Sequence, residues 1–190
     1  MFEKDTYFQE TFADISLSDE AVKGITFEEC SFENCSFITC TFERCRLLNC
    51  KLNGCILSAV VPMNTRFENV SFTGCKVIGI DWTRATETRK LRFRESQVNY
   101  SNFRFVHLPD LAMIDCEAKE SDFIESDLKG AVLKKTDFEN TRFFKTNLTN
   151  ADFREAVNYT IDPATNTLKK TRFSMPEVLG LLTHLDIVIE

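Results

Sequence analysis

Eight cysteines, two histidines and a surplus of carboxylates are the residues whose types could carry chemistry in this 190-residue chain. Six of the cysteines recur at every fifth position, Cys30, Cys35, Cys40, Cys45, Cys50 and Cys55, and Cys75 and Cys116 follow later. Structural zinc sites draw ligands from close pairs such as C-x2-C, and a step of five does not provide them. Dense thiols in this pattern read instead as buried, reduced side chains of a reducing compartment. His107 and His184 stand far apart in unlike contexts, so no Cys–His or Ser–His constellation forms. The chain has no G-x-x-x-x-G-K-[ST], G-x-G-x-x-G or H-E-x-x-H. Acid pairs such as Asp122 and Asp127 would need a cleft to shift their pKa values, and a convex surface offers none. The expectation is a protein that is not an enzyme and uses no cofactor or metal.

The element that positions the cysteines has a period of five. From Val22 the series runs Phe27, Phe32, Phe37, Phe42, Leu47, Leu52, Leu57, Pro62, Phe67, Phe72, Val77 and Trp82. A second runs Phe93, Val98, Phe103, Leu108, Met113, Ala118, Phe123, Leu128, Leu133, Phe138, Phe143, Leu148 and Phe153. At 43% hydrophobic content, fewer than half of these positions would be apolar by chance. A step of five matches neither a helix face nor a straight strand, so each unit contains a bend. The residue two before each centre is small: the cysteines in the first array, then Ser121, Ser126, Ala131, Thr136, Thr141, Thr146 and Ala151. Large and small residues two apart share one side of an extended segment. Four corners then close a square coil of 20 residues, stacked on the next at about 4.8 Å, with columns such as Phe103, Phe123, Phe143 and Phe27, Leu47, Phe67. The fold expected is all-β.

These units resemble the pentapeptide-repeat family, clearest in 121–125 (SDFIE), 126–130 (SDLKG), 136–140 (TDFEN), 146–150 (TNLTN) and 151–155 (ADFRE). The resemblance implies a right-handed quadrilateral β-helix. The organisation expected is an N-terminal cap or irregular first coil over 1–20, a first array over 21–82, a break or small loop over 83–92, a second array over 93–157, and a C-terminal cap and dimerisation segment over 158–190. Residues 1–20 keep apolar centres but place Glu10 and Glu20 in the small slot. Trp82 to Phe93 is one residue longer than two units, and the insertion is either a plain kink or a partner-contacting bump carrying Arg84, Arg89, Lys90 and Arg92. Ser174, Pro176 and Glu177 read as a capped helix start, followed by a short helix and a brief strand over 186–190. The helix either plugs its own rod or also joins a second copy through Val178, Leu181, Leu182, Leu185, Ile187, Val188 and Ile189.

A net charge of -6 disfavours nucleic acid as a direct ligand, and no run approaches the roughly 18 apolar residues of a membrane span. The N-terminus lacks a signal-peptide pattern, and a cytoplasmic protein is expected. Acids crowd Asp110, Asp115, Glu117, Glu120, Asp122, Glu125 and Asp127 against Lys119 alone. They are either an ordinary solubilising surface or an imitation of DNA phosphates aimed at a basic groove. Cysteine-rich early units such as 27–35 (FEECSFENC), a single break between arrays and the helix-then-LDIVI ending resemble the Qnr-type subgroup. That resemblance implies a dimeric DNA mimic binding DNA gyrase or topoisomerase IV, with drug protection in doubt because long loops between coils are lacking. A scaffold for another protein, or immunity against a topoisomerase poison, are the alternatives.

Overall fold

In the computed structural model the described residues are 2–185 and 187. The chain winds a four-walled tube in which each wall of one coil pairs in parallel with the same wall of the next. The first wall carries Tyr7, Phe27, Leu47, Phe67 and Thr88, and the second Phe12, Phe32, Leu52, Phe72, Phe93 and Met113. The third carries Leu17, Phe37, Leu57 and Val77, and the fourth Val22 and Phe42. Register advances by 20 residues, as the sequence predicts, and by 21 across the insertion, and all four walls continue upward through single bridges such as Glu117↔Asp137 and Asp122↔Arg142.

The corner explains the odd period. Two residues after most centres the backbone takes a left-handed φ, as at Asn34 (52°), Asp115 (54°) and Phe105 (61°), which turns the chain before the next extended triplet. The centres point inward and fill the core. Within one coil the rings meet edge to face, Phe27–Phe32 at 5.3 Å and Phe37–Phe42 at 5.4 Å. Along the fourth wall they stack nearly parallel: Trp82–Phe103 at 5.7 Å, Phe103–Phe123 at 4.8 Å and Phe123–Phe143 at 5.5 Å. The small slot has a polar duty as well. Its hydroxyl or thiol donates to the carbonyl of a centre residue in the coil below, Ser121 Oγ to Val98 at 2.9 Å, Thr136 Oγ1 to Met113 at 3.2 Å, Cys50 Sγ to Phe27 at 3.3 Å.

The two arrays differ in backbone pattern for a reason visible in the sequence. From Thr26 to Ile78 each wall is a three-residue strand except at Pro62. Where Asp or Asn precedes the centre, its side chain accepts the N–H two residues on: Asn102 from Arg104, Asp122 from Ile124, Asp127 from Lys129, Asp137 from Glu139, Asn147 from Thr149, Asp152 from Arg154. In a parallel strand that N–H belongs to the ladder between coils, so the wall shrinks to one bridge. The centre carbonyl then accepts from the third residue onward, as in Ser126 N to Phe123 O at 3.1 Å, and closes a turn.

Three boundaries differ from the sequence reading. The first coil is regular from Thr6 onward, because at the open end Glu10 and Glu20 have no coil beneath them and their carboxylates reach solvent. Phe2 closes that end, edge-on to Tyr7, Phe12 and Phe27. The extra residue of the break is absorbed by a 3-10 turn, Trp82–Arg84, and the two residues after it, while Glu87–Arg89 resumes the first wall with buried Thr88 at its centre. The coil also outlasts residue 157: 158–166 deviate, but the bridges Asn147↔Thr167 and Asp152↔Arg172 restore register, and Phe173 stacks on Phe153 at 5.5 Å.

The terminal helix is a 3-10 helix, Glu177–His184, without the expected capping box. Ser174 Oγ is engaged elsewhere, accepting the Glu155 N–H at 2.7 Å, and Pro176 occupies the cap position instead of the first turn. Leu181 packs against the core, so the helix does close the upper end. The strand expected over 186–190 falls outside the described residues except for Ile187, which lies in no strand.

Candidate protein-binding surfaces

The cysteines hold no chemistry that a substrate could reach. All eight are free and buried. Burial pushes the Cys50 thiol up to about 12 and Cys116 up to about 11, while Cys55 is pushed up by its hydrogen-bonded contact with Cys75 and then by burial. Cys75, the other member of that pair, is drawn down by its contact with Cys55 and stays buried, so none of the eight thiols is presented to a substrate. Among the described residues no group of three or more His, Cys, Asp or Glu side chains is placed to hold a metal ion. No described helix is long and apolar enough to cross a membrane.

The acids read along the chain are redistributed by the winding. Because each unit turns a corner, residues 110–127 run round the tube and the seven carboxylates land on all four sides. Asp110, Asp115, Glu120 and Glu125 are exposed at corners, and Glu117 and Asp127 are half-buried on walls. Asp127 is taken by His107 Nδ1 at 2.9 Å and Asn147 Nδ2 at 2.8 Å, and Glu125 lies 3.8 Å from Lys145. Asp122 does not present its charge outward. It is 5% exposed, held by Arg142 and flanked by Arg104 at 3.7 Å, because it serves the turn at Ile124.

One side does concentrate carboxylates. On the third wall and its corners Glu117 and Glu120 are joined by Glu95, Asp115, Asp137 and Glu139, against Lys119, Lys135 and, beside Gln97, Lys76. Lys119 bridges Asp137 and Glu139, each at 3.0 Å. Burial works to raise the Asp137 pKa, but hydrogen bonds from Asn158, Lys119 and the Glu139 N–H outweigh it and the net shift is downward. Asp137, Glu139 and Glu95 were missed in the linear reading, and the signal for them was the 20-residue column.

The bases of the break do not form one loop. Arg84 sits in the 3-10 turn 3.6 Å from Asp81, Arg89 on the first wall 3.5 Å from Glu87, Lys90 at a corner, and Arg92 on the second wall, donating to Asn69. At the other end Val178, Leu181 and Leu182 are half-buried, while Leu185 and Ile187 are exposed together with Met175 and Leu179. Val188 and Ile189 lie outside the described residues.

Sequence profiles of the pentapeptide repeat region and of pentapeptide repeats match residues 25–103 and 121–157, together more than half of the chain. No curated protein matches it in sequence. Among solved structures it is similar to a trypsin-treated form of QnrB1, a plasmid-mediated fluoroquinolone resistance protein, with a TM-score of 0.71 at 18% identity over 94% of this chain and 99% of that one. It is also similar to full-length QnrB1, with a TM-score of 0.61 at 17% identity over 93% of this chain and 100% of that one. At these identities the likeness establishes the fold, a right-handed quadrilateral β-helix. With the five-residue period, the 20-residue register and both profiles in agreement, the chain belongs to the pentapeptide-repeat family.

Proposed function

We propose that this rod is a non-enzymatic binder of a type II DNA topoisomerase, DNA gyrase or topoisomerase IV, occupying the enzyme's basic DNA groove with its third wall. The observation that carries the reading is the acid-rich strip of Glu95, Asp115, Glu117, Glu120, Asp137 and Glu139 along one side of a narrow rod. Carboxylates repeated along a rod imitate a phosphate backbone in charge and in direction. Resemblance to the Qnr-type subgroup supplies the choice of enzyme, and the partly exposed Met175, Leu179, Leu185 and Ile187 support a homodimer joined at the C-terminal end. Long-range attraction between the strip and a basic groove speeds encounter and makes binding sensitive to salt.

The test is DNA supercoiling by purified gyrase with added protein, with and without a quinolone. Inhibition or rescue near stoichiometric concentration is expected, reduced at least tenfold in a Glu117→Lys, Glu120→Lys, Glu139→Lys variant. Unchanged supercoiling at all protein concentrations overturns the topoisomerase reading. Equal potency of the charge-reversed variant removes the third wall from it.

A further inference from the structure

The insertion leaves a groove of about 510 Å³ between the segment 83–89 and the following coil at 104–109. Its apolar side is formed by Phe105, Val106 and Pro109, and its polar side by Arg89, Arg104 and His107 against a single carboxylate, Glu87. Three features set it apart from the rest of the tube.

Phe105 is 65% exposed and stands at a left-handed corner, φ 61°, where Asn, Asp and Gly are the comfortable residues. A ring there contributes nothing to the core; within the molecule it meets the Arg104 guanidinium, 5.4 Å from its centroid, and most of its surface is left open to a partner. Arg104 is cationic in excess of its partner: Asp122 is already held by Arg142, and Arg104 Nε, 3.7 Å away, makes no hydrogen bond. Of the four buried side-chain donors without a partner among the described residues, two, Trp82 Nε1 and Arg104 Nε, belong to residues lining this groove. The apolar surface continues up the fourth wall through half-buried Ile124 to Phe144, 43% exposed.

We propose that this groove docks an extended acidic segment of a partner protein, with a carboxylate on Arg104 and Arg89 and an apolar side chain against Phe105. Charge decides the occupant: the lining carries Arg89 and Arg104 against Glu87 alone, net positive on a molecule of net charge -6, and the Arg104 guanidinium suits a carboxylate. Because a basic DNA groove calls for an acidic wall, this surface is separate from the third wall and does not depend on the topoisomerase reading.

Trp82 is the sole tryptophan and lines the groove, so its fluorescence reports occupancy. The full chain is titrated with a 12-residue peptide of alternating Glu and Phe flanked by Ser, with its Lys/Phe counterpart, and with a 12-nucleotide single-stranded DNA. The Glu/Phe peptide is expected to bind one to one, weakened at least tenfold by Arg104→Glu and at least fivefold by Phe105→Gly. Glycine suits that corner, so Phe105→Gly keeps or raises the unfolding midpoint and separates lost contact from lost fold. No saturable response to the Glu/Phe peptide overturns the proposal. So do equal affinity for the Lys/Phe peptide, tighter binding of the DNA, or full affinity in both variants.

Discussion

The first and second arrays enclose the same kind of core with different backbones, and one position accounts for much of the difference. Before most centres the first array places Thr, Ser, Arg, Lys or Ile, and the walls, except at Pro62 and Trp82, are three-residue strands. Before six centres the second places Asp or Asn, which withdraws one N–H from the ladder, and the walls there are a bridge with a closed turn, a pattern the units at Gln97, His107, Glu117 and Val132 share without that side chain. The small slot diverges in step, from long thiol contacts such as Cys35 Sγ to Phe12 O at 3.5 Å to short hydroxyl bonds such as Thr146 Oγ1 to Phe123 O at 2.8 Å. A tube can therefore be held by its ladder or by its corners.

The largest effect that tests the contrast is in the ring columns. Phe123→Ala, between the rings of Phe103 and Phe143, is expected to cost about 3–5 kcal/mol in urea unfolding. Its double-mutant cycle with Phe103→Ala should show coupling of about 0.5–1.5 kcal/mol. Coupling no greater than for the Leu52 and Phe72 pair would mean that the second array gains nothing from stacking.

The buried thiols, seven in the first array and Cys116 in the second, and the paired carboxylate of Asp152 should be felt at opposite ends of the pH scale. Buried thiols with raised pKa values favour the folded state while protonated, so the first array loses stability as pH climbs from about 9 toward about 12 for Cys50. Asp152 is drawn down to about 2, chiefly by its hydrogen bond from Arg154, so its contribution is complete above about 4 and disappears as pH falls toward 2. Urea midpoints of Cys50→Ala and Asp152→Asn across pH read the two limbs. Flattening of the same limb by both variants would refute the division.

Smaller effects probe the slot and the turn. Thr141→Val removes the donor to the Ala118 carbonyl and should cost about 1–2 kcal/mol, more than Cys35→Ala, whose thiol contacts are long. Asn147→Thr imports the first array's residue type. The Thr149 N–H should then join the ladder toward the Leu128 carbonyl, with less than about 1 kcal/mol lost. Hydrogen exchange at Thr149 slowing, not quickening, would mark the change from turn to strand.

The period of five carried the fold, because every centre must be apolar and every slot small for a coil to close. Thr88 escaped notice because a polar residue holds a centre there, beside the insertion. The upper end was read as finished at 157 because 158–166 take a detour, which no period shows, before register returns at Thr167. The binding surfaces were least legible. Neighbours five apart in sequence face different directions, while Glu117 and Asp137, twenty apart, meet on one wall. A run of charge in the sequence is a belt around this molecule, and a strip along it must be read by columns.

The bottom coil has a consequence for self-association. A parallel stack is a template that another copy could extend indefinitely, since its lowest turn offers a row of backbone groups spaced for one more layer. Here the small-residue positions of the lowest turn are Glu10, its carboxylate paired with Lys4 at 2.9 Å, and exposed Glu20, with the ring of Phe2 across the opening. Seating another layer there would strip water from Glu20 and from the Glu10–Lys4 pair, a desolvation cost that opposes stacking of a second copy on this turn.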